Sequence, residues 1–216
     1  MKKRLLMFGI GLLSACFCLP ALAEESSGEQ LSMADQQKRI TGNVSEWKPE
    51  NGTGSYVITD LDGNGRLEII SANYNDETLE TEARMWEISE EGKFTVCQLP
   101  WKDGDSQPDL ITDAATVYYD TENDLYYYIF EDASVAEDGS EKVQTVALSF
   151  KDQVLTSELL ETDAVEERFE GMEQMEAKFR WVSTAEHSLG SDVPMEQILT
   201  LVEESYAGFS LQKAEQ

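Results

Sequence analysis

Asp60, Asp62 and Asn64 occupy alternate positions in the stretch Asp60-Leu61-Asp62-Gly63-Asn64-Gly65-Arg66-Leu67-Glu68, and Glu68 follows Asn64 by four residues. Side-chain oxygens at that spacing can be gathered round one hard cation. Calcium takes about six to eight oxygens at roughly 2.3–2.6 Å, and a short loop delivers them when alternate residues turn inward. Gly65 stands where the chain must bend sharply. The spacing therefore predicts a calcium site built from Asp60, Asp62, Asn64 and Glu68. Asp, Asn and Gly are also the ordinary residues of a polar hairpin turn. A bare turn has no need of Asp60 and Glu68 in register, so the ion accounts for more of the pattern. Extracellular calcium modules bind with a Kd of about 0.1–1 mM. That suffices for a structural role where free calcium is high, and the ion would neutralise carboxylates that otherwise repel.

A loop of this kind needs two strands to hold its ends, and residues 56–59 and 69–72 are apolar and strand-like. An EF-hand would instead require flanking helices and a bidentate Glu at the twelfth position, which here is Ser71. A dockerin loop would need a following helix and a second copy, and neither is present in the sequence. The segment 60–68 resembles the nine-residue calcium loops of integrin-type FG-GAP and VCBS-like propeller blades, whose pattern is D-x-D-x-[DN]-G-x-x-[DE] between two strands. That resemblance covers one hairpin of the 216-residue chain. It implies a structural calcium ion with side-chain oxygens from Asp60, Asp62, Asn64 and Glu68 and the backbone carbonyl of Arg66.

Around this hairpin the chain reads mainly as short strands. Ser32 is placed to cap a helix over 32–41, with Leu31, Ala34 and Ile40 as its apolar positions and Gly42 as its stop. Residues 82–89 and 93–99 form a hairpin about Glu90-Glu91-Gly92, and 115–119 pairs with 125–131. A third hairpin joins 142–150 to 153–160 through Lys151-Asp152. Tyr126, Tyr128 and Phe130 alternate with Tyr127 and Ile129, so that strand is apolar on both faces and belongs in the middle of its sheet. Val165, Phe169, Met172 and Phe179 have helical spacing behind an Asp163/Glu166 capping box, but Gly171 interrupts them. Residues 178–183 alternate as a strand. A C-terminal helix near 193–207 has Ser191 and Asp192 as caps and Pro194 in its first turn. Its apolar stripe is Met195, Ile198, Leu199, Val202 and Tyr206, and Gly208 stops it. The expected architecture is mainly β: one domain over 31–216, an antiparallel meander of hairpins with propeller-like blades as one form, plus an N-terminal and a C-terminal helix.

The start of the chain points to export. Lys2, Lys3 and Arg4 precede an apolar run and a small-x-small site ending at Ala23, the pattern of a signal peptide over 1–23 followed by a flexible leader over 24–30. The alternative is a lipid anchor at Cys16, since Leu13-Ser14-Ala15-Cys16 resembles a lipobox. No transmembrane span is expected after cleavage, and a secreted location follows. Removing residues 1–23 takes three basic residues and no acidic one, moving the formal charge from −27 to −30. A chain so acidic opposes phosphate backbones, which excludes nucleic acid as a natural partner.

Cys97 would be the one thiol left, so no intrachain disulfide is available. It sits in a strand-like run and reads as a core residue, and His187 is the only imidazole for any Cys–His pair. No phosphate loop, HExxH, CxxC or nucleophile triad appears in the sequence, so no catalytic or organic-cofactor residue is assigned. Two functions stay open. One is a calcium-stabilised, non-catalytic module that binds a glycan or a cell-surface protein through aromatic faces, with Trp47, Trp86, Trp101 and Trp181 available and Trp101 the best exposed candidate. The other is a glycan-cleaving enzyme using a carboxylate pair, which 43 acidic residues leave unselected. The acidic run 120–124 reads as a hairpin tip, and Asp103, Asp105 and Asp109 as solvated loop charges.

Overall fold

The computed structural model describes residues 31–50, 52–75, 80–101, 107–135 and 141–214. The expected signal peptide and leader, Cys16, Asp103 and Asp105 lie outside them. Among the described residues eleven strands form two antiparallel sheets, with helices near both ends of the chain.

The first sheet contains β1 (Gly54–Thr59), β2 (Glu68–Asn75), β3 (Glu80–Ile88), β4 (Phe94–Val96) and the two-residue β10 (Val182–Ser183), in the order β10-β1-β2-β3-β4. The second contains β5 (Ala114–Asp120), β6 (Leu125–Val135), β7 (Glu141–Lys151), β8 (Val154–Leu160), β9 (Glu173–Lys178) and β11 (Ser210–Lys213), in the order β11-β9-β5-β6-β7-β8. The hairpins read from the sequence are all present. β6 is interior to its sheet, as its pattern requires.

Side chains alternate along a strand, so each face of the first sheet can build its own core. Val57, Ile70, Ala83 and Met85 face the second sheet and pack with Val117, Tyr128, Leu148 and Ala177. Tyr56, Ile58, Ile69, Trp86 and Ile88 face the other way, into a core closed by helices. These are α1 (Met33–Gly42), the single turn α2 (Val44–Trp47) and α4 (Met195–Ala207), which contribute Ile40, Trp47, Ile198, Leu201 and Val202. The result is three layers. The first sheet is the middle one, and β1 is therefore buried along almost its whole length.

Both helices differ in detail from the sequence expectation. Ser32 caps α1 by accepting from the Asp35 N–H at 3.2 Å, but α1 runs through Gly42 and buries Gln36, Gln37, Ile40 and Thr41, leaving Ala34 exposed. In α4, Met195 is exposed and Leu201 takes its place on the buried stripe, and no side chain caps the N-terminus. Gly208 does end α4, though not by a left-handed turn: its φ is −89°. A Cβ there would collide with the Arg180 side chain, so close approach is what requires glycine.

Three segments correct the sequence reading. Over 163–179, where helical spacing met an interrupting Gly171, the helix is one turn, α3 (Val165–Arg168), after a 3-10 turn at Thr162–Ala164. Gly171, at φ 84°, then turns the chain into β9. Residues 178–183 are not one strand: Lys178 ends β9 in the second sheet, and Val182 begins β10 in the first. The β7–β8 turn is centred one residue later than expected, on Asp152 and Gln153, both at positive φ (50° and 67°), the backbone that suits a tight hairpin. Strand β11, only four residues and half of them exposed, has no counterpart in the apolar pattern of the sequence.

Because β10 is so short, β1 lacks a strand partner on that edge beyond Tyr56. Ser205 of α4 fills the gap. Its hydroxyl accepts from the Ile58 N–H at 3.0 Å and donates to the Arg180 carbonyl at 2.8 Å, so the helix is docked by polar contacts as well as by its apolar stripe.

Candidate metal centre

β1 and β2 pair as far as Thr59 opposite Glu68, so the loop between them is held closed at its base. Gly63 and Gly65 have φ values of 66° and 79°, a backbone that L side chains rarely adopt, and this lets the loop fold back on itself. Both oxygens of Asp60 accept from the Gly65 N–H, at 3.2 and 3.1 Å. Asp62 accepts from the Asn64 N–H at 3.3 Å and from the Asn64 amide at 2.7 Å, and Asn64 Oδ1 accepts from the Arg66 N–H at 2.6 Å. Glu68 Oε2 accepts from the Leu61 N–H at 2.7 Å and the Thr59 hydroxyl at 3.2 Å.

One carboxylate oxygen from each of Asp60, Asp62 and Glu68 lies within 4.8 Å of the others. That is close to twice a calcium–oxygen distance of about 2.4 Å, the largest separation two ligands of one ion can have. Glu68 is fully buried, and its Oε1 has no hydrogen-bond partner. The cluster could hold a metal ion. Of the five ligands expected from the sequence, the structure brings these three carboxylates together. The Asn64 Oδ1 is engaged with the Arg66 N–H of the loop's own backbone, and the Arg66 side chain, which was not among the expected ligands, reaches Glu87, at 2.9 Å, and Glu90, at 3.5 Å.

Burial dominates the electrostatics of the three carboxylates. Burial raises Asp60 above its ordinary value, against the opposing pull of the amides of Gly65, Asn64 and Gly63. Burial pushes Asp62 up to about 6, aided by the charges of Glu87 and Asp60. Glu68 is raised well above the usual carboxylate range, first by burial and then by Asp62. Close, desolvated carboxylates favour protonation or a cation over free charge.

Residues far away in sequence brace the loop. Gln36 of α1, fully buried, donates to the Gly65 carbonyl at 2.8 Å and accepts from the Leu67 N–H at 2.8 Å, clamping the backbone on either side of Arg66. Tyr128 of β6 donates to the Leu61 carbonyl at 2.6 Å. From β3, the Ile88 N–H donates to the Leu67 carbonyl at 3.0 Å. The sequence reading missed Gln36, Tyr128 and Glu87. Only Glu87 left a trace there: Ala83, Met85 and Glu87 alternate on the inward face of β3, where an acid interrupts an apolar series.

The other candidates resolve differently. Trp47 and Trp86 are core residues. Trp101 and Trp181 are half-buried, Trp101 packed against the inter-sheet core and Trp181 donating its indole N–H to the Thr112 carbonyl at 3.0 Å. Cys97 is buried with its thiol pushed up by burial, whereas His187 is exposed. Residues 120–124 form a hairpin tip as expected. Glu68 and Glu87 are the buried carboxylates among the described residues, so no second buried acid pair is formed there. Among the described residues no helix is long and apolar enough to cross a membrane. Comparisons of the chain with protein-family models, with curated proteins and with solved structures give no match.

Proposed function

We propose that this chain is an exported, β-rich binding module that needs calcium, held by Asp60, Asp62, Asn64, Glu68 and the Arg66 carbonyl, for its stability and carries out no catalysis. The observation that carries this reading is Glu68, a fully buried carboxylate with an orphaned oxygen, converging with two further carboxylates on one point. Calcium is favoured among cations because the donor set is all oxygen and lies on a compliant loop. Magnesium demands tighter octahedral geometry, and zinc prefers nitrogen and sulfur. The likeness of segment 60–68 to FG-GAP and VCBS-like loops supports the same ion, and the N-terminal export pattern supports a compartment where calcium is plentiful.

Thermal melts test the proposal. Calcium at a hundredfold excess over Kd stabilises by about 2.7 kcal/mol, which for a domain of this size raises Tm by roughly 5–10 °C over chelator. Asp60→Ala should abolish that difference, and equal melts in calcium and chelator would sink the calcium site. The bound partner is proposed to be a glycan or cell-surface protein. The stacked pair Tyr119 and Tyr126, with ring centroids 4.4 Å apart, is an aromatic surface beside the loop, since Tyr126 lies against Gly63. Polysaccharide binding without reducing-end release supports the module, whereas turnover lost on a single Asp or Glu change would make the protein a glycan-cleaving enzyme.

A further inference from the structure

Glu68 of β2 and Glu87 of β3 are directly opposed in the sheet. Their neighbouring pairs on the same face, Ile70 with Met85 and Ala72 with Ala83, are apolar. Opposed residues hold their Cβ atoms about 4.5–5.5 Å apart, and like charges placed there repel. Both glutamates are fully buried, and each keeps one oxygen without a partner, Glu68 Oε1 and Glu87 Oε2. Arg66 reaches Glu87 through Oε1 alone, at 2.9 Å, and the Asn64 amide meets that same oxygen at 3.5 Å. A buried carboxylate oxygen without a donor is costly, and two facing each other call for a common solution.

Glu87 is not one of the three carboxylates whose oxygens converge within 4.8 Å. An ion held by those three and by two further loop oxygens still has room in its coordination shell, and calcium fills such positions with water. We propose that Glu87 belongs to the metal centre as an outer carboxylate, its Oε2 accepting a hydrogen bond from a water bound to the ion. This rests on the calcium reading above. It gives both orphaned oxygens a partner, the ion for Glu68 and the ion's water for Glu87. Arg66 then acts as a positioning residue. By holding Oε1 it fixes the rotamer of Glu87 and aims Oε2 at the site, while its charge keeps the fourth acid from making the cluster still more negative.

The test compares the purified protein with Glu87→Gln, which keeps the side chain's shape and an acceptor for Arg66 but removes the charge. Calcium and terbium titrations are read by calorimetry and luminescence at a temperature where circular dichroism shows both proteins folded. Loss of an outer-shell partner costs about 10–100-fold in metal affinity. Calcium binding should therefore weaken at least about tenfold, and binding of trivalent terbium should weaken more. Terbium lifetimes in light and heavy water should count at least one bound water in the unmodified protein. Equal losses for both ions, affinities within twofold of the unmodified protein, or a count of zero waters would each overturn the role of Glu87. If the unmodified protein binds neither ion, the calcium reading itself falls. If it binds both and Glu87→Gln binds them equally well, only the present inference falls.

Discussion

Two acid-rich turns of similar composition, residues 60–68 and 120–124, end in opposite chemistry. At the β5–β6 tip, Asp120 accepts from the Glu122 and Asn123 N–H groups and from the Asn123 amide at 2.7 Å, and Asp124 accepts the Tyr119 hydroxyl at 2.8 Å. The tip faces water, and the Asn123 amide holds the Asp120 carboxyl below its ordinary value. At the β1–β2 loop the acids are also hydrogen-bonded by their own backbone, yet burial outweighs those bonds and drives Asp60, Asp62 and Glu68 upward. Composition and turn hydrogen bonds are thus common to both. What separates a turn from a site is the third party: Gln36, Tyr128 and the inward face of β3 press on one loop, and solvent surrounds the other.

The largest expected effect is on the brace. Gln36→Ala orphans the Gly65 carbonyl and the Leu67 N–H, and at about 1–3 kcal/mol for each buried unsatisfied group it should cost roughly 3 kcal/mol in urea denaturation. Calcium affinity should fall with it. Unchanged stability would show that α1 does not define the loop. Next, Glu68→Gln should remove the calcium-dependent gain in Tm while leaving calcium-free stability equal or higher, since Gln keeps an acceptor for Leu61 and Thr59 and has no charged form for burial to oppose. The matching change at the tip, Asp120→Asn, should leave the calcium response intact. A third test is Tyr128→Phe, which takes the donor from the buried Leu61 carbonyl and should cost about 1–2 kcal/mol.

The smallest effect is the difference in pH slope between the two turns. Asp62 titrates at about 6 against an ordinary 3.8, so the folded, calcium-free protein holds its proton more tightly than the unfolded chain. Its contribution is full below about pH 4 and is lost as pH rises through 6. Asp120 is shifted the other way, so its contribution is present above the ordinary carboxylate range and fades in acid. Carboxylate NMR titrations of the calcium-free protein should separate the two, Asp62 near 6 and Asp120 below 3.8. Saturating calcium should pull Asp62 down and barely move Asp120. Coincident midpoints would erase the contrast between the turns.

The cluster of Asp60, Asp62 and Glu68 was legible because it is local. Spacing within nine residues fixes which side chains a folded loop can turn inward, and hairpins follow from alternation and turn residues on the same scale. Gln36 was not legible, because a polar residue on a weakly amphipathic helix looks solvated until a distant carbonyl and N–H are brought to it. Residues 178–183 show the same limit. Alternation reports that Lys178 and Val182 are extended, and it is silent on the chain leaving one sheet for the other at Phe179. β11 pairs only with β9 and is partly exposed, so it carries little apolar pattern. The helical spacing over 163–179, already interrupted by Gly171, carries no long helix because Phe169 owes its burial to Tyr118 and Tyr127 on the outer face of the second sheet.

β9, β10, α4 and β11 all come from residue 173 onward, and between them they complete both sheets. The Gly52 N–H reaches the Thr184 hydroxyl, and the Ile58 N–H reaches Ser205, across 132 and 147 positions of chain. A polypeptide emerging from its N-terminus therefore carries the edges of β1 and β5 unpaired until its last fifth arrives. Open edges of that kind are where strands from different molecules join. For this architecture the C-terminal segment is the closing clasp, and a chain stopped short of it should accumulate as aggregate even with every carboxylate of the loop intact.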